Sequence, residues 1–388
     1  MKLTKFLFCS FFLIISCTAD GVEEGSFSGS DSAADTSGDS GQGNSGDASP
    51  GQITAGEWND LDTWSFWLDI VNNETYSQTE TYWGFFTKNR LAFEVKDAIG
   101  SPINGALVTL FRNGVYVTET KTDNFGKTNI FIDLNQNTEN LIDYSLYAYS
   151  INSESATTAV VPFFEGVNQI QIENMNTIDN KIELSFIVDA TGSMGDELEF
   201  LKNDLQDVIS RVQTENQDSQ ILTSSVFYRD HGDDYVVKHS DFTSNTDTTL
   251  QFIEEQFADG GGDFPEAVDA AISKSINTLQ WSSNAKTKIA FLLLDAPPHH
   301  ESQIISDMHQ TIVNAAAQGI KIIPITASGI DKQTEFLMRY FAISTNSTYV
   351  FITDDSGIGN DHLEPTVGDF QVEFLNDLMV RLINKYAQ

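Results

Sequence analysis

Apolar and polar positions alternate in two different rhythms along this chain, and the change of rhythm divides it. Between residues 90 and 175 the period is two: Leu91, Phe93 and Val95 alternate, as do Ala106, Val108 and Leu110, then Ile130 and Ile132. Turn residues recur at regular spacing, at Asp97–Gly105, Arg112-Asn113-Gly114 and Asp123-Asn124-Phe125-Gly126. Further strands are expected at Tyr144–Ser150, Ala159–Phe164 and Gln169–Glu173. Short strands with no helix between them predict a small β-sandwich.

From residue 181 to 388, apolar runs alternate with helical periodicity. Strands are predicted at Ile182–Ala190, Leu222–Arg229, Ile289–Pro297, Lys321–Ala327 and Thr348–Thr353. Leu198, Leu201, Leu205, Val208 and Val212 share one helical face. Later helices are expected at Leu250–Ala258, Pro265–Leu279, Ser302–Gln318, Lys332–Ala342 and Asp369–Lys385. Apolar strands separated by amphipathic helices predict a doubly wound, mostly parallel sheet covered on both faces. The chain is therefore read as multidomain, a β-sandwich followed by an α/β domain.

Ahead of residue 90 the pattern is different again. Lys2, Lys5 and the apolar run FLFCSFFLII form a short export signal, too short to span a membrane as a helix. The run Ile14-Ile15-Ser16-Cys17 resembles a bacterial lipoprotein processing site. That resemblance implies a signal peptide over residues 1–16 and a lipidated Cys17, with the chain anchored in a membrane. Cys9 is then removed and no disulfide is available. Thr18 lacks the aspartate that retains some lipoproteins in the inner membrane, so the outer membrane, at the cell surface or beneath it, is preferred. Residues 17–56 are mostly Gly, Ser, Asp and Ala, a composition expected to form a disordered tether. Residues 57–89 hold four of the five tryptophans, Trp58, Trp64, Trp67 and Trp83. Aromatics this dense are expected to pack that segment onto the sandwich.

The stretches VKDAIGSPINGALVTL and TKTDNFGKTNI resemble carboxypeptidase-regulatory-like and other Ig-like modules of bacterial surface proteins. The resemblance implies a spacer or docking element over residues 90–175. Charge narrows the partners: 21 Lys+Arg against 56 Asp+Glu give −35, which argues against nucleic acid.

Candidate chemistry gathers where the first strand of the α/β part ends. In FIVDATGSMGDELEFL, Asp189 closes a run of apolar residues, and Thr191 and Ser193 follow within a few positions. Ser193 and Asp196 fit a helix-capping pattern, which accounts for the serine but not for Asp189. A carboxylate at a strand's carboxyl end needs a cation, a donor cluster or water.

Asp189-Ala190-Thr191-Gly192-Ser193 resembles the metal-ion-dependent adhesion site of von Willebrand factor type A (VWA) domains. YRDHGD at Tyr228–Asp233, GGGDFPEAV at Gly260–Val268 and LLLDAPPHH at Leu292–His300 follow in the family's order. The resemblance implies a Rossmann-like VWA domain over residues 181–388. It implies a divalent cation, Mg²⁺ with Mn²⁺ or Ca²⁺ as competitors, held by Asp189, Thr191, Ser193 and Asp295. The family's separate threonine ligand has no counterpart, and Asp263 is expected in its place. The implied function is metal-dependent protein binding or adhesion, through a partner's acidic side chain, without catalysis.

Asp230, His231 and His299 are possible rim residues of that site. For His299 and His300, packing or partner contact is the expected role rather than zinc binding. Asp354 and Asp355 are expected to finish the last strand as a turn. No nucleophile elbow, phosphate-binding loop or dinucleotide fingerprint is present in the sequence. Two other readings stay open, a metal-dependent hydrolase using Asp263, Asp295 and His299, and an envelope scaffold with an empty site.

Overall fold

The computed structural model describes residues 49–137, 142–153, 158–173 and 177–388. The expected export signal, Cys17 and most of the expected tether lie outside the described residues. In chain order the elements are β1 (Thr54–Trp58), α1 (Trp64–Val71), α2 (Ser77–Trp83), β2 (Arg90–Lys96), β3 (Leu107–Arg112), β4 (Val115–Lys121) and β5 (Lys127–Phe131). Next come β6 (Tyr147–Ile151), β7 (Thr158–Ala159), β8 (Asn168–Gln171), β9 (Asp179–Asp189), α3 (Leu198–Glu215), β10 (Gln220–Tyr228), β11 (Val237–Thr243) and α4 (Thr246–Glu254). The chain ends with α5 (Val268–Ser273), β12 (Ala285–Leu294), α6 (Ser302–Gln318), β13 (Lys321–Thr326), α7 (Lys332–Ser344), β14 (Tyr349–Ile352), β15 (Val372–Phe374) and α8 (Leu375–Tyr386).

Eight strands make the large sheet, in the order β11-β10-β9-β12-β13-β14-β1-β15. The five from β10 to β14 run parallel, and β11 and β1 pair antiparallel with its two flanks. Alternation along β9 decides what each face buries. Leu184, Phe186 and Val188 meet α3, α4 and α8, while Ile187 faces the core built from α1, α5, α6 and α7. The expected doubly wound architecture is present, with apolar helices on both faces.

Two small sheets, β5-β2-β8 and β4-β3-β6-β7, enclose a separate core of Leu91, Phe93, Val95, Val108, Leu110 and their neighbours. One turn shows why the sequence folds this way locally. Asp123 Oδ1 accepts from the amides of Phe125 at 3.0 Å and Lys127 at 3.1 Å. Gly126 then adopts φ +69°, and a Cβ there would lie 2.4 Å from the Val95 carbonyl oxygen, so only glycine fits. The two-sheet body rests on the α/β body through polar contacts. Asn129 donates from its amide to Asn346 Oδ1 at 2.6 Å, and Asn124 Nδ2 to the Lys385 carbonyl at 3.0 Å.

Three expectations need correction. The tether does not extend to residue 56, because Thr54–Trp58 is strand β1, inserted between β14 and β15 of the large sheet. Its Ala55 is fully buried, which the small-residue composition of that stretch disguised. The aromatic segment packs chiefly on the α/β body rather than on the sandwich. Trp67 meets Tyr340 edge-on at 5.4 Å, Tyr76 stacks on Phe336 at 5.0 Å, and Trp83 Nε1 donates to the Gln333 carbonyl at 2.8 Å. Trp64 alone of the four reaches the two-sheet body, against Phe131 and Phe163. Finally, the helix expected from Asp369 starts at Leu375, because residues 372–374 pair with β1 instead. Strand β11, VKHSDFT, has no apolar rhythm and was not expected at all.

The segment's attachment is closed by a buried ion pair. Arg339 Nη2 lies 2.6 Å from Asp60 Oδ1 and Nε lies 2.9 Å from Oδ2, a bidentate pair with both side chains essentially inaccessible to water. Arg339 also donates to the Thr366 carbonyl at 2.7 Å and lies over the Trp67 ring. Glu335 Oε1 also lies 3.4 Å from Arg339 Nη1, so removing Asp60 takes away the bidentate partner and leaves the buried guanidinium that longer contact. Asp60→Ala should therefore lower the unfolding free energy by about 3–5 kcal/mol, read as an earlier urea midpoint. A loss below about 1 kcal/mol would make the pair energetically incidental.

Candidate functional site

Strand order reverses at β9, whose neighbours β10 and β12 continue the chain in opposite directions. Doubly wound sheets place ligands in the crevice at such a point, beyond the carboxyl ends of the strands. Asp189 is the last residue of β9, and Asp295 follows directly after β12. Both are buried, at 0% and 5% exposure.

The loop after β9 folds around its own aspartate. Asp189 Oδ1 accepts from the Thr191 amide at 2.8 Å and from the Thr191 hydroxyl at 2.7 Å. Thr191 Oγ1 and Ser193 Oγ lie 3.2 Å apart. Residues 192–196 form a 3₁₀ turn, and α3 starts only at Leu198, with no side chain capping its amides. Ser193 therefore does not cap that helix, and the capping explanation for it fails.

Polar atoms are left over. Among the described residues, Asp189 Oδ2, Asp295 Oδ1, Glu266 Oε2 and the Tyr228 hydroxyl are buried and make no hydrogen bond of good geometry. Burial raises the pKa of Asp189, although its bonds from Thr191 and the neighbouring Tyr228 hydroxyl oppose this. Burial also raises Asp295, and the charge of Asp189 adds to it. Glu266 is pushed up to about 9, by burial first and then by Asp189, Asp230 and Asp295. Carboxylates buried this closely together are costly to ionise unless a positive charge or further donors stand beside them.

Glu266 enters by way of the glycine-rich loop. Gly260 and Gly261 take φ +79° and +71°, and the Gly260 carbonyl accepts from the Gly192 amide at 3.2 Å. A Cβ on Gly261 would lie 2.9 Å from Glu266 Oε1 and 3.4 Å from Thr191 Cβ, so glycine permits this approach. The Glu266 amide donates to the Pro297 carbonyl at 2.9 Å, which keeps the stretch extended. Helix α5 consequently begins at Val268 rather than at the expected Pro265.

Asp263, expected as the loop's ligand, is exposed; the buried carboxylate of that loop is Glu266. Asp230 and His299 meet at the rim, with Nε2 2.7 Å from Oδ1, and the His231 ring lies 5.7 Å from that of His299. His300 turns away to stack on Tyr82 at 3.9 Å, a packing role. Among the described residues no three His, Cys, Asp or Glu side chains form a metal cage by themselves. The donor set is mixed: the carboxylates of Asp189, Asp295 and Glu266 with the hydroxyls of Thr191 and Ser193. All are hard oxygens, the kind that Mg²⁺, Mn²⁺ and Ca²⁺ take.

Comparison with known proteins bears on the α/β part of the chain. Residues 183–358 match the family described as von Willebrand factor A domain. This part of the chain is a VWA domain. Domains of this kind point to protein interaction or adhesion. A protein of Acanthamoeba polyphaga mimivirus, named "Putative ariadne-like RING finger protein", is 34% identical over 127 residues, which is 32% of this chain. The match spans only 12% of that relative's length. A solved aerotolerance-related membrane protein of Bacteroides fragilis aligns over 53% of this chain and 99% of its own, with 13% identity and a TM-score of 0.34.

The sequence reading of the VWA site missed Glu266, although it stands in the quoted GGGDFPEAV, because the nearer aspartate drew the assignment. It also missed His362. That side chain is nearly buried, with Nδ1 2.8 Å from Asp354 Oδ1 and Nε2 3.2 Å from Glu197 Oε1. Glu197 also accepts from the Ser328 amide at 3.1 Å and acts on Asp295 through its charge. Burial works against the imidazolium, yet Glu197 and Asp354 together raise its pKa. A raised folded-state pKa contributes stability that is complete below the unfolded value, about 6.5, and disappears as pH climbs through the folded value. Urea unfolding of wild type and His362→Ala should therefore differ most below about pH 6 and converge in alkaline buffer. A gap independent of pH would remove the histidine's charge from the account.

Proposed function

We propose that this chain is an envelope-anchored recognition protein whose VWA domain holds a divalent cation and binds a protein partner through that partner's acidic side chain. The observation that carries the reading is the pair of buried aspartates, Asp189 and Asp295, at adjacent strand ends with oxygens that make no hydrogen bond of good geometry. Thr191, Ser193 and Glu266 complete a donor set suited to Mg²⁺, with Mn²⁺ or Ca²⁺ as competitors. When bound, the cation supplies the positive charge that lets an acidic partner approach a chain of net charge −35. Asp189 and Asp295 balance that charge, Thr191 and Ser193 orient them, and Glu266 tunes how much of it a visitor feels.

In this proposal Cys17 carries the lipid, residues before β1 act as a tether, and the two-sheet body is an Ig-like spacer. No helix among the described residues is long and apolar enough to cross a membrane. The outer membrane is the preferred location. The pairing of His299 with Asp230 supports a second reading, a metal-dependent hydrolase with His299 as the proton carrier. Hydrolysis of phosphate esters or peptides that disappears in both Asp189→Ala and His299→Ala would bring it forward.

Calorimetric titration with Mg²⁺ and Mn²⁺ tests the primary reading. Saturable binding is expected, weakened more than about 100-fold in Asp189→Ala, beyond what losing an outer-shell partner costs. Glu266→Gln should retain binding at reduced affinity. Absence of heat from the wild-type chain would leave the scaffold reading standing instead.

A further inference from the structure

At the end of the large sheet opposite Asp189 and Asp295, a cavity of about 130 Å³ lies between the two-sheet body and the α/β body. Among the described residues that line it are four lysines. Lys121 comes from β4, Lys286 and Lys288 from the start of β12, and Lys321 from the start of β13. Against them stands a single lining carboxylate, Asp123, 3.4 Å from the Lys321 ammonium. In a chain with 21 basic residues and a net charge of −35, four lysines around one small cavity are not background.

Two of these ammonium groups have left solvent, Lys288 at 5% and Lys321 at 6% exposure. Burial lowers the pKa of Lys288 to about 8, with the charge of Lys121 adding to the effect, and burial lowers Lys321 as well. Part of their need is met inside the protein. Lys288 donates to the Gln318 carbonyl at the end of α6 at 2.6 Å, where a helix favours a cation. Lys121 donates to the Ser283 carbonyl at 2.9 Å, across the seam between the bodies. Glu119 and Glu183, which are not among the lining residues, act on Lys121 and Lys288.

Helix capping explains Lys288, and Lys321 is held by Asp123, the Asn346 carbonyl and the Tyr386 ring; neither explains why Lys121 and Lys286 line the same space. Each ammonium has three donors, so Lys121 and Lys288 keep N–H groups beyond the one carbonyl each engages. Gathered like charges with unspent donors, in a recess with polar Asn284 and Thr287 beside them, match a compact anion carrying several acceptor oxygens.

We propose that this seam cavity binds a phosphate-type oxyanion, either inorganic phosphate or the phosphate group of a small monoester. Lys121 belongs to the two-sheet body and the other three lysines to the α/β body, so the bound anion ties the two together. It also explains why a strongly acidic protein concentrates lysines where its two bodies meet. Such a ligand stabilises the folded chain by mass action.

The test is calorimetry and thermal unfolding of the full chain with sodium phosphate and, separately, glycerol 3-phosphate, against sodium chloride of equal ionic strength. The expected result is a saturable rise in melting temperature and a binding heat absent with chloride. Affinity should fall at least tenfold in Lys288→Gln and in Lys286→Gln. Lys286 is half-buried, so its variant reports even if Lys288→Gln does not fold. A tenfold preference for the ester assigns the site to a monoester, and equal or weaker ester binding assigns it to the free ion. A thermal shift no larger than chloride produces, or phosphate affinity unchanged in Lys286→Gln, overturns the proposal.

Discussion

The structure depends on one strand that arrives from outside its domain. β1 lies between β14 and β15, so the large sheet is completed by residues from before the two-sheet body. Without it, β14 and β15 would each present unpaired backbone groups. The insertion is held by a bidentate pair between Asp60 and Arg339, out of reach of water and roofed by Trp67. The aromatic segment after β1 then covers α7, leaving the two-sheet body as an insertion between β1 and the rest of the α/β body. Chain order and structural order therefore differ, and residues 181–388 alone are not the whole folding unit.

That arrangement bears on the site. α7 carries Arg339 and follows β13, two strands from β9, while Ser328 of the β13–α7 loop donates to Glu197. Glu197 in turn influences Asp295 and meets His362 from the segment leading to β15. Glu197 thus connects the β13–α7 loop and the segment leading to β15 with the carboxylates at the sheet's switch point. Those carboxylates are unusual for the cost they carry: Asp189, Asp295 and Glu266 are buried together, each with an oxygen that makes no hydrogen bond of good geometry. Titratable groups perturbed this strongly by burial and by one another cluster at functional sites. At the other end of the sheet the sign is reversed, with lysines gathered at the seam. Opposite ends of one parallel sheet therefore offer opposite electrostatic environments.

The strands of the α/β body were legible because β9, β12 and β13 are apolar on both faces, which only a covered parallel sheet requires. The carboxyl-end position of Asp189 followed from the same pattern, and with it the neighbourhood of Thr191 and Ser193. β11 was not legible, since an edge strand exposed on one side needs no apolar rhythm. Asp263 and Glu266 could not be ranked from spacing, because the loop between them is extended rather than helical. That conformation comes from a hydrogen bond to the Pro297 carbonyl, thirty-odd residues away in the chain.

Local chemistry alone determined the period-two and helical segments, the turn at Asp123–Gly126 and the hydroxyl-bearing loop after Asp189, because each is set by neighbours a few residues apart. Tertiary structure alone decided that Thr54–Trp58 is a strand, that Glu266 rather than Asp263 is buried with the aspartates, and that lysines from two bodies share a cavity. Each of those depends on atoms brought together from distant positions, and burial, which sets the cost of a charge, exists only once they meet.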